Sequence, residues 1–242
     1  MVTAVQPQVS QKSKGVKGKA VLLLSGGVDS TTLLYDLISQ NYEVYPISFY
    51  YGQKHEIEVG NALASCTKLG LNLEVTKLEA FRALAPSGLT RWEIEIPNGQ
   101  YTDEEMRKTV VPNRNMVLIA LSTSYAIGIG AGKIFYAAHG GDHAIYPDCR
   151  PVFLIALNKA IKLCDYSELC LEAPYMYWNK ADIVRKGIEL GVDYSLTWSC
   201  YRGHYYACGT CGTCIERLEA FKATGFKDPI EYAQDLKERN ES

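Results

Sequence analysis

Short, nearly unbroken apolar runs alternate along this chain with longer stretches in which apolar residues return every three or four positions. Val21-Leu22-Leu23-Leu24, within the run 20–24, is apolar on both faces, as expected of a strand covered by helices on both sides. Leu33, Leu34, Leu37 and Ile38 then form a helical stripe. The alternation continues with strands predicted over 43–49 (despite Pro46), 73–78, 133–138 and 169–173. Helices are predicted over 56–69, stopped by Gly70, and over 116–127, 152–163 and 181–190, the last ending at Gly191. Strand and helix taking turns, with right-handed crossovers, predicts an α/β fold built on a five-stranded, doubly wound parallel sheet. Between 81 and 111 the periodicity fades, with Pro86, Gly88, Pro97 and Gly99 as breakers; so long an irregular stretch inside a compact domain is usually functional.

With 242 residues, 47% of them hydrophobic, the chain can bury a full core as one domain with a small appended module. A net charge of −2 indicates no overall attraction to nucleic acid or an anionic membrane, and no apolar run approaches the roughly 20 residues needed to span a bilayer. Residues 1–18, polar and lysine-rich, read as a disordered leader rather than a signal peptide. Residues 19–196 read as the α/β domain and 197–242 as a metal-binding extension packed on it. Four of the eight cysteines are scattered and four lie within fifteen positions, unlike a secreted disulfide scaffold, so a reducing cytoplasm is expected.

The candidate chemistry sits where apolar runs end. Ser25-Gly26-Gly27-Val28-Asp29-Ser30 joins the first strand to the first helix; its glycines let backbone N–H groups converge on an anion, and Asp29 or Ser30 is the expected helix cap. Ser25, Asp29, Ser30, Thr31 and Thr32 crowd oxygen atoms around the glycine pair, which suits phosphates and Mg2+. The loop is not a Walker A sequence, because no Gly-Lys-Ser/Thr closes it. Asn113 or Asn115 is a helix cap, and Arg114 beside them can reach a phosphate or nucleotide. After the fourth strand, 139–150 carries His139, Asp142, His143, Asp148 and Arg150; carboxylates facing a heterocycle explain this loop better than a histidine metal pair. Asn179 is a second expected cap, and Lys180 behind it opposes the helix dipole, as either an exposed lysine or a group that neutralises a triphosphate. Cys200, Cys208, Cys211 and Cys214, spaced by glycine turns, predict a closed, structural zinc site, with His204 as an alternative ligand.

Together the Ser25–Ser30 loop, Tyr51-Gly52-Gln53-Lys54-His55, Val111-Pro112-Asn113-Arg114-Asn115, Tyr146-Pro147-Asp148-Cys149-Arg150, Lys180-Ala181-Asp182 and the cysteine cluster after Thr197-Trp198-Ser199 resemble the 7-cyano-7-deazaguanine synthase family of PP-loop ATP pyrophosphatases. The resemblance implies strand order 3-2-1-4-5, with the phosphate loop at the switch point. It implies conversion of 7-carboxy-7-deazaguanine and ammonia to the nitrile through an amide, each step driven by ATP going to AMP and pyrophosphate. By the same resemblance, Leu24, Ser25, Gly26, Gly27, Val28, Asp29, Ser30 and Thr31 hold ATP with Mg2+, and Asp29, Lys180 and Arg114 are catalytic. Tyr51, Gln53, His55, Asp142, Asp148 and Arg150 are the expected substrate contacts. The alternatives are a relative that stops at the amide or passes the activated carboxylate to another amine, a protein amine included, or a tRNA-modifying PP-loop enzyme. A non-catalytic zinc module holding RNA is a rival from another class; near-neutral charge counts against both RNA readings. A homodimer is left open.

Overall fold

The computed structural model describes residues 15–54, 57–96, 99, 107–143, 146–202 and 205–233. Five parallel strands, β1 (Lys19–Leu23), β2 (Glu43–Tyr50), β3 (Glu74–Lys77), β4 (Lys133–Phe135) and β5 (Cys170–Glu172), lie in the order β3-β2-β1-β4-β5. The chain therefore leaves β1 toward β2 and later returns to β1's other edge with β4, which opens a crevice at the carboxyl end of β1. β1 is apolar on both faces because each face meets a different core. Val21 joins Ile47, Phe49, Ile134 and Leu171 under helices α4 (Arg114–Ile129) and α5 (Pro151–Ile161). Ala20, Leu22 and Leu24 join Leu33, Leu34 and Leu37 of α1 (Val28–Ser39), Ala62 and Cys66 of α2 (Ile57–Lys68), and Ile183 of α6 (Lys180–Glu189). Each fully buried leucine contributes about 1.5–3 kcal/mol, so a polar residue on either face of β1 would unseat a whole layer.

Pro46 is tolerated in β2 for a geometric reason. Ile47 O accepts from Leu24 N at 2.9 Å, so residue 47 turns its polar groups toward β1 and Pro46 turns toward the opposite edge. Pairing with β3 on that edge begins only at Ile47↔Glu74, so the missing N–H breaks no rung of the ladder. β4 and β5 are shorter than the apolar runs suggested. Beyond Phe135 only Tyr136 still pairs, donating to Glu172 O at 3.1 Å, and the chain then leaves the sheet to line the crevice.

One expected cap moved, and another is in place without its side-chain bond. Gly27 is the N-cap of α1, with no side-chain bond, so Asp29 and Ser30 lie inside the first turn. Asn113 does occupy the N-cap of α4, but in the left-handed region (φ 59°) and without a side-chain bond. Asn179 caps α6 as expected, accepting from Asp182 N at 2.9 Å while Asp182 accepts back, a full capping box. Among the described residues, the irregular stretch carries the short helix α3 (Phe81–Leu84) and helical residues at 107–109, and it is tied to the cysteine region where Gly99 N donates to Thr210 O at 2.8 Å. The helix α7 (Gly212–Thr224) packs against α6 and α1 through Val28, Val184, Tyr194, Ala220 and Phe221. Among the described residues, no helix is long and apolar enough to cross a membrane.

Candidate active site

The crevice at the switch point has two chemically different halves. In the first, Ser30, one turn into α1, folds back so that its Oγ accepts from Ser25 N (3.2 Å) and meets Ser25 Oγ (2.9 Å), holding the phosphate loop closed. Gly26 is at φ +87° with its Cα against α2, where a Cβ would overlap the Glu58 carbonyl oxygen and lie 2.8 Å from Ala62 N. Gly26 O accepts from Trp198 N at 3.0 Å, which pins the loop to the cysteine region.

Across from the loop, Lys180 Nζ lies 2.6 Å from Asp29 Oδ2 and 3.5 Å from Glu216 Oε2, the latter delivered by α7. His139, 1% exposed, accepts from Gly141 N at Nδ1 (3.1 Å), which leaves its ring proton on Nε2, 3.8 Å from Asp29 Oδ2 and 3.7 Å from Asp142 Oδ2. Burial pushes the Asp29 carboxyl up, but the Lys180 ammonium and then His139 outweigh it, so the group is held below its ordinary value. For Lys180, burial disfavours the charge and the carboxylates of Asp29, Glu216 and Asp142 more than restore it, so it stays an ammonium. Asp142 is raised, by burial first; His139 and Lys180 oppose the rise, and the charges of Asp29 and Glu216 add to it. Three carboxylates thus share one lysine, and Asp29 Oδ1 is buried with no hydrogen-bond partner among the described residues. An acceptor-only oxygen left free beside a phosphate loop fits Mg2+.

The second half is aromatic. Arg114, at the start of α4, lies 5.8 Å over the Tyr146 ring. Burial opposes its charge, while the tyrosines at 51, 146 and 201 and Cys149 favour it, leaving the guanidinium firmly protonated. Tyr146 and Tyr201 pair their hydroxyls at 2.9 Å. Tyr136, just beyond β4, is 5% exposed, and its hydroxyl has no partner among the described residues. Burial holds the Cys149 thiol well above its ordinary range, so it stands in the wall as a neutral group rather than a nucleophile.

Behind the crevice, the Sγ atoms of Cys200, Cys208, Cys211 and Cys214 lie within 4.8 Å of one another. Cys208 and Cys214 are 3.9 Å apart, against about 3.8 Å for two thiolates 2.3 Å from one tetrahedral zinc. N–H groups of Cys211 and Thr210 point at Cys208 Sγ at 3.3 and 3.4 Å, and that of Cys208 at Cys200 Sγ at 3.4 Å, a donor set that favours thiolates. Hydrogen bonding among the four thiols holds Cys208 and Cys211 below the ordinary thiol range and Cys200 and Cys214 above it, so the four titrate as one unit. The residues fit zinc.

Of the residues singled out from the sequence, Leu24, Ser25, Gly27, Val28, Asp29, Ser30, Tyr51, Gln53, Arg114, Asp142 and Lys180 line the one crevice. Gly26 and Thr31 support it from behind. Asp148 is used elsewhere, its Oδ2 accepting from Asn115 N at 3.0 Å to cap α4, and neither it nor Arg150, the N-cap residue of α5, lines the crevice. Gln53 reaches the lining with its amide already engaged, accepting from Tyr51 N (2.8 Å) and donating to Phe49 O (3.1 Å). His55, His204 and the side chain of His143 lie outside the described residues. Glu216, Tyr136 and Tyr201 were not singled out, and Tyr146 and Cys149 entered only as members of a quoted motif; Glu216 lies in α7, Tyr136 just beyond β4 and the others in loops and turns whose local pattern carries no catalytic signal.

A Ser-Gly-Gly-Val-Asp-Ser loop at the switch point of a 3-2-1-4-5 parallel sheet is the α/β architecture of PP-loop proteins. A 4-thiouridine synthetase solved with RNA and bound ATP shares the fold (TM-score 0.51, 17% identity), with 93% of this chain covered and about half (51%) of that one. The model of the queuosine biosynthesis protein QueC matches residues 19–225, and the chain belongs to that family. It is 58% identical to the 7-cyano-7-deazaguanine synthase of Methanoregula boonei over 88% of this chain and 99% of the relative. It is likewise 58% identical to the synthase of the same name from Caldicellulosiruptor bescii, over 90% and 99%.

Proposed function

We propose that the protein is an ATP-dependent carbon–nitrogen ligase that converts 7-carboxy-7-deazaguanine and ammonia into 7-cyano-7-deazaguanine. The observation that carries this reading, in a chain of the QueC family, is a single crevice that joins a phosphate half, centred on Lys180 and Asp29, to an aromatic half holding Arg114. A carboxylate repels ammonia and has no leaving group, so the acid is first adenylated with release of pyrophosphate; ammonia then displaces AMP. The amide oxygen is adenylated in the same way and leaves as AMP when the nitrile forms. The sum is two ATP to two AMP and two pyrophosphate, with one ammonia consumed.

The loop N–H groups and Lys180 would hold the triphosphate, and Asp29 Oδ1 would hold Mg2+, which when bound neutralises the phosphate oxygens. Asp142, whose carboxyl is made more basic by burial and which lies in the same crevice, serves as the acceptor for the proton released as ammonia adds. Cys200, Cys208, Cys211 and Cys214 would hold zinc, whose role when bound is to cross-link the segment that delivers Trp198 and α7. All eight cysteines are unpaired, which supports a reducing cytoplasm. Mass spectrometry of the wild-type reaction with the acid, ATP and ammonium tests the reading. Nitrile with two AMP per product is expected. ADP and phosphate would exclude it, and amide accumulating without nitrile would favour the amide-forming alternative.

A further inference from the structure

We propose that Arg114 and Tyr136 form the subsite for the acid substrate, with the Arg114 guanidinium pairing the carboxylate and the Tyr136 hydroxyl bonding the heterocycle. The inference rests on the ligase reading above and moves Arg114 from the nucleotide to the second substrate. The ion pairs of the phosphate half run from Lys180 to Asp29 and Glu216 and do not include Arg114. Arg114 makes no ion pair among the described residues; its surroundings are tyrosines and a neutral thiol. A guanidinium turned into a crevice with only neutral groups around it is matched by a bidentate anion such as a carboxylate.

Tyr136 supplies the independent observation. Its side chain is more than nine-tenths buried, it lines the same crevice, and its hydroxyl has no partner among the described residues, so a ligand polar atom is the group that would satisfy it. Arg114, Tyr136 and Cys149 all line this crevice. Flat aromatic walls with one anchored charge and one buried hydroxyl suit a planar bicyclic acid.

The test exploits the two half-reactions, because the first substrate carries a carboxylate and the second, the amide, does not. Arg114→Gln should raise KM for the acid by about 10- to 100-fold, leave KM for the amide within about 3-fold, and leave KM for ATP unchanged; Arg114→Lys should fall between, keeping charge but losing the fork. Tyr136→Phe should raise KM for acid and amide alike by about 3- to 10-fold, with ATP again unaffected. Thermal melts and binding of a non-hydrolysable ATP analogue check that each variant is folded. Equal effects of Arg114→Gln on acid and amide, a raised KM for ATP, or a silent Tyr136→Phe would overturn the subsite. If the wild type turns over neither acid nor amide, the ligase reading fails by itself. Calorimetric binding of the acid to wild type and Arg114→Gln then decides the subsite, which stands if binding is lost and falls if it is retained.

Discussion

Replacing Arg217 with methionine isolates one structural joint between the cysteine region and the sheet domain. Arg217 is 1% exposed. Its Nε and Nη2 donate to the two oxygens of Asp228 at 2.7 and 2.9 Å. Nη1 donates to Thr197 Oγ1 (2.9 Å) and Thr197 O (3.3 Å), and Nη2 also reaches Tyr194 O (3.1 Å). Thr197 precedes Trp198, whose N–H holds the phosphate loop, and the Tyr194 hydroxyl meets Thr32 Oγ1 of α1 at 2.8 Å, so this side chain braces both. Methionine fills the stem but leaves the buried Asp228 carboxylate, among the described residues, with the Tyr232 hydroxyl and Ile230 N–H. Adding five charged hydrogen bonds at about 1.5–3 kcal/mol each would rival the whole stability of a domain, about 5–15 kcal/mol, so the sum is not the right measure. The governing quantity is the stranding of one buried charge, about 3–5 kcal/mol. With an unfolding entropy of about 0.5 kcal/mol/K for a chain this long, Tm falls by about 6–10 °C. Urea titration measures the loss directly, and Arg217→Met combined with Asp228→Leu should recover most of it, because no charge is then stranded. A single-variant loss below about 1 kcal/mol, or a double variant as costly as the two single changes summed, would refute the reasoning.

Gly26→Ala forces a Cβ into the α2 backbone at a positive φ, so a loss of at least about 2 kcal/mol and weakened ATP-analogue binding are expected; normal values in both would mean the loop is looser than drawn. The folded state raises the Asp142 pKa, so it binds this proton more readily than the unfolded chain does, and its ionisation destabilises the fold as pH rises through the raised value. Asp142→Asn should therefore raise Tm at pH 7, with the gain vanishing as pH falls through that range, while kcat drops by about 10²-fold; a lower Tm at pH 7 contradicts this. Elemental analysis should find about one zinc per chain, and Cys211→Ser should lower both zinc content and thermal stability; metal-free protein of full stability would remove the argument.

Features set by neighbours in the chain were legible without coordinates. The runs at 20–24 and 43–49, the stripe of Leu33, Leu34 and Leu37, the Asn179 cap and the four clustered cysteines are each written within a turn or two of backbone, where period, glycine and cap chemistry act. The phosphate loop was legible for the same reason, though its cap was not: placing Asp29 in the first turn of α1 is what turns its carboxylate toward Lys180, 151 positions away. The rest depended on strand order. Only when β4 returns beside β1 do Tyr136, Tyr146 and Arg114 come to share a wall, and only the packing of α7 on α6 brings Glu216 to Lys180. Asp148 and Gln53 show the converse, since a short polar side chain near a helix start or a turn finds a backbone partner before it finds a ligand. A motif states which chemistry a segment carries; which of its polar atoms remain free for a substrate is decided by hydrogen bonds to residues far away in the chain, and those exist only in the folded molecule.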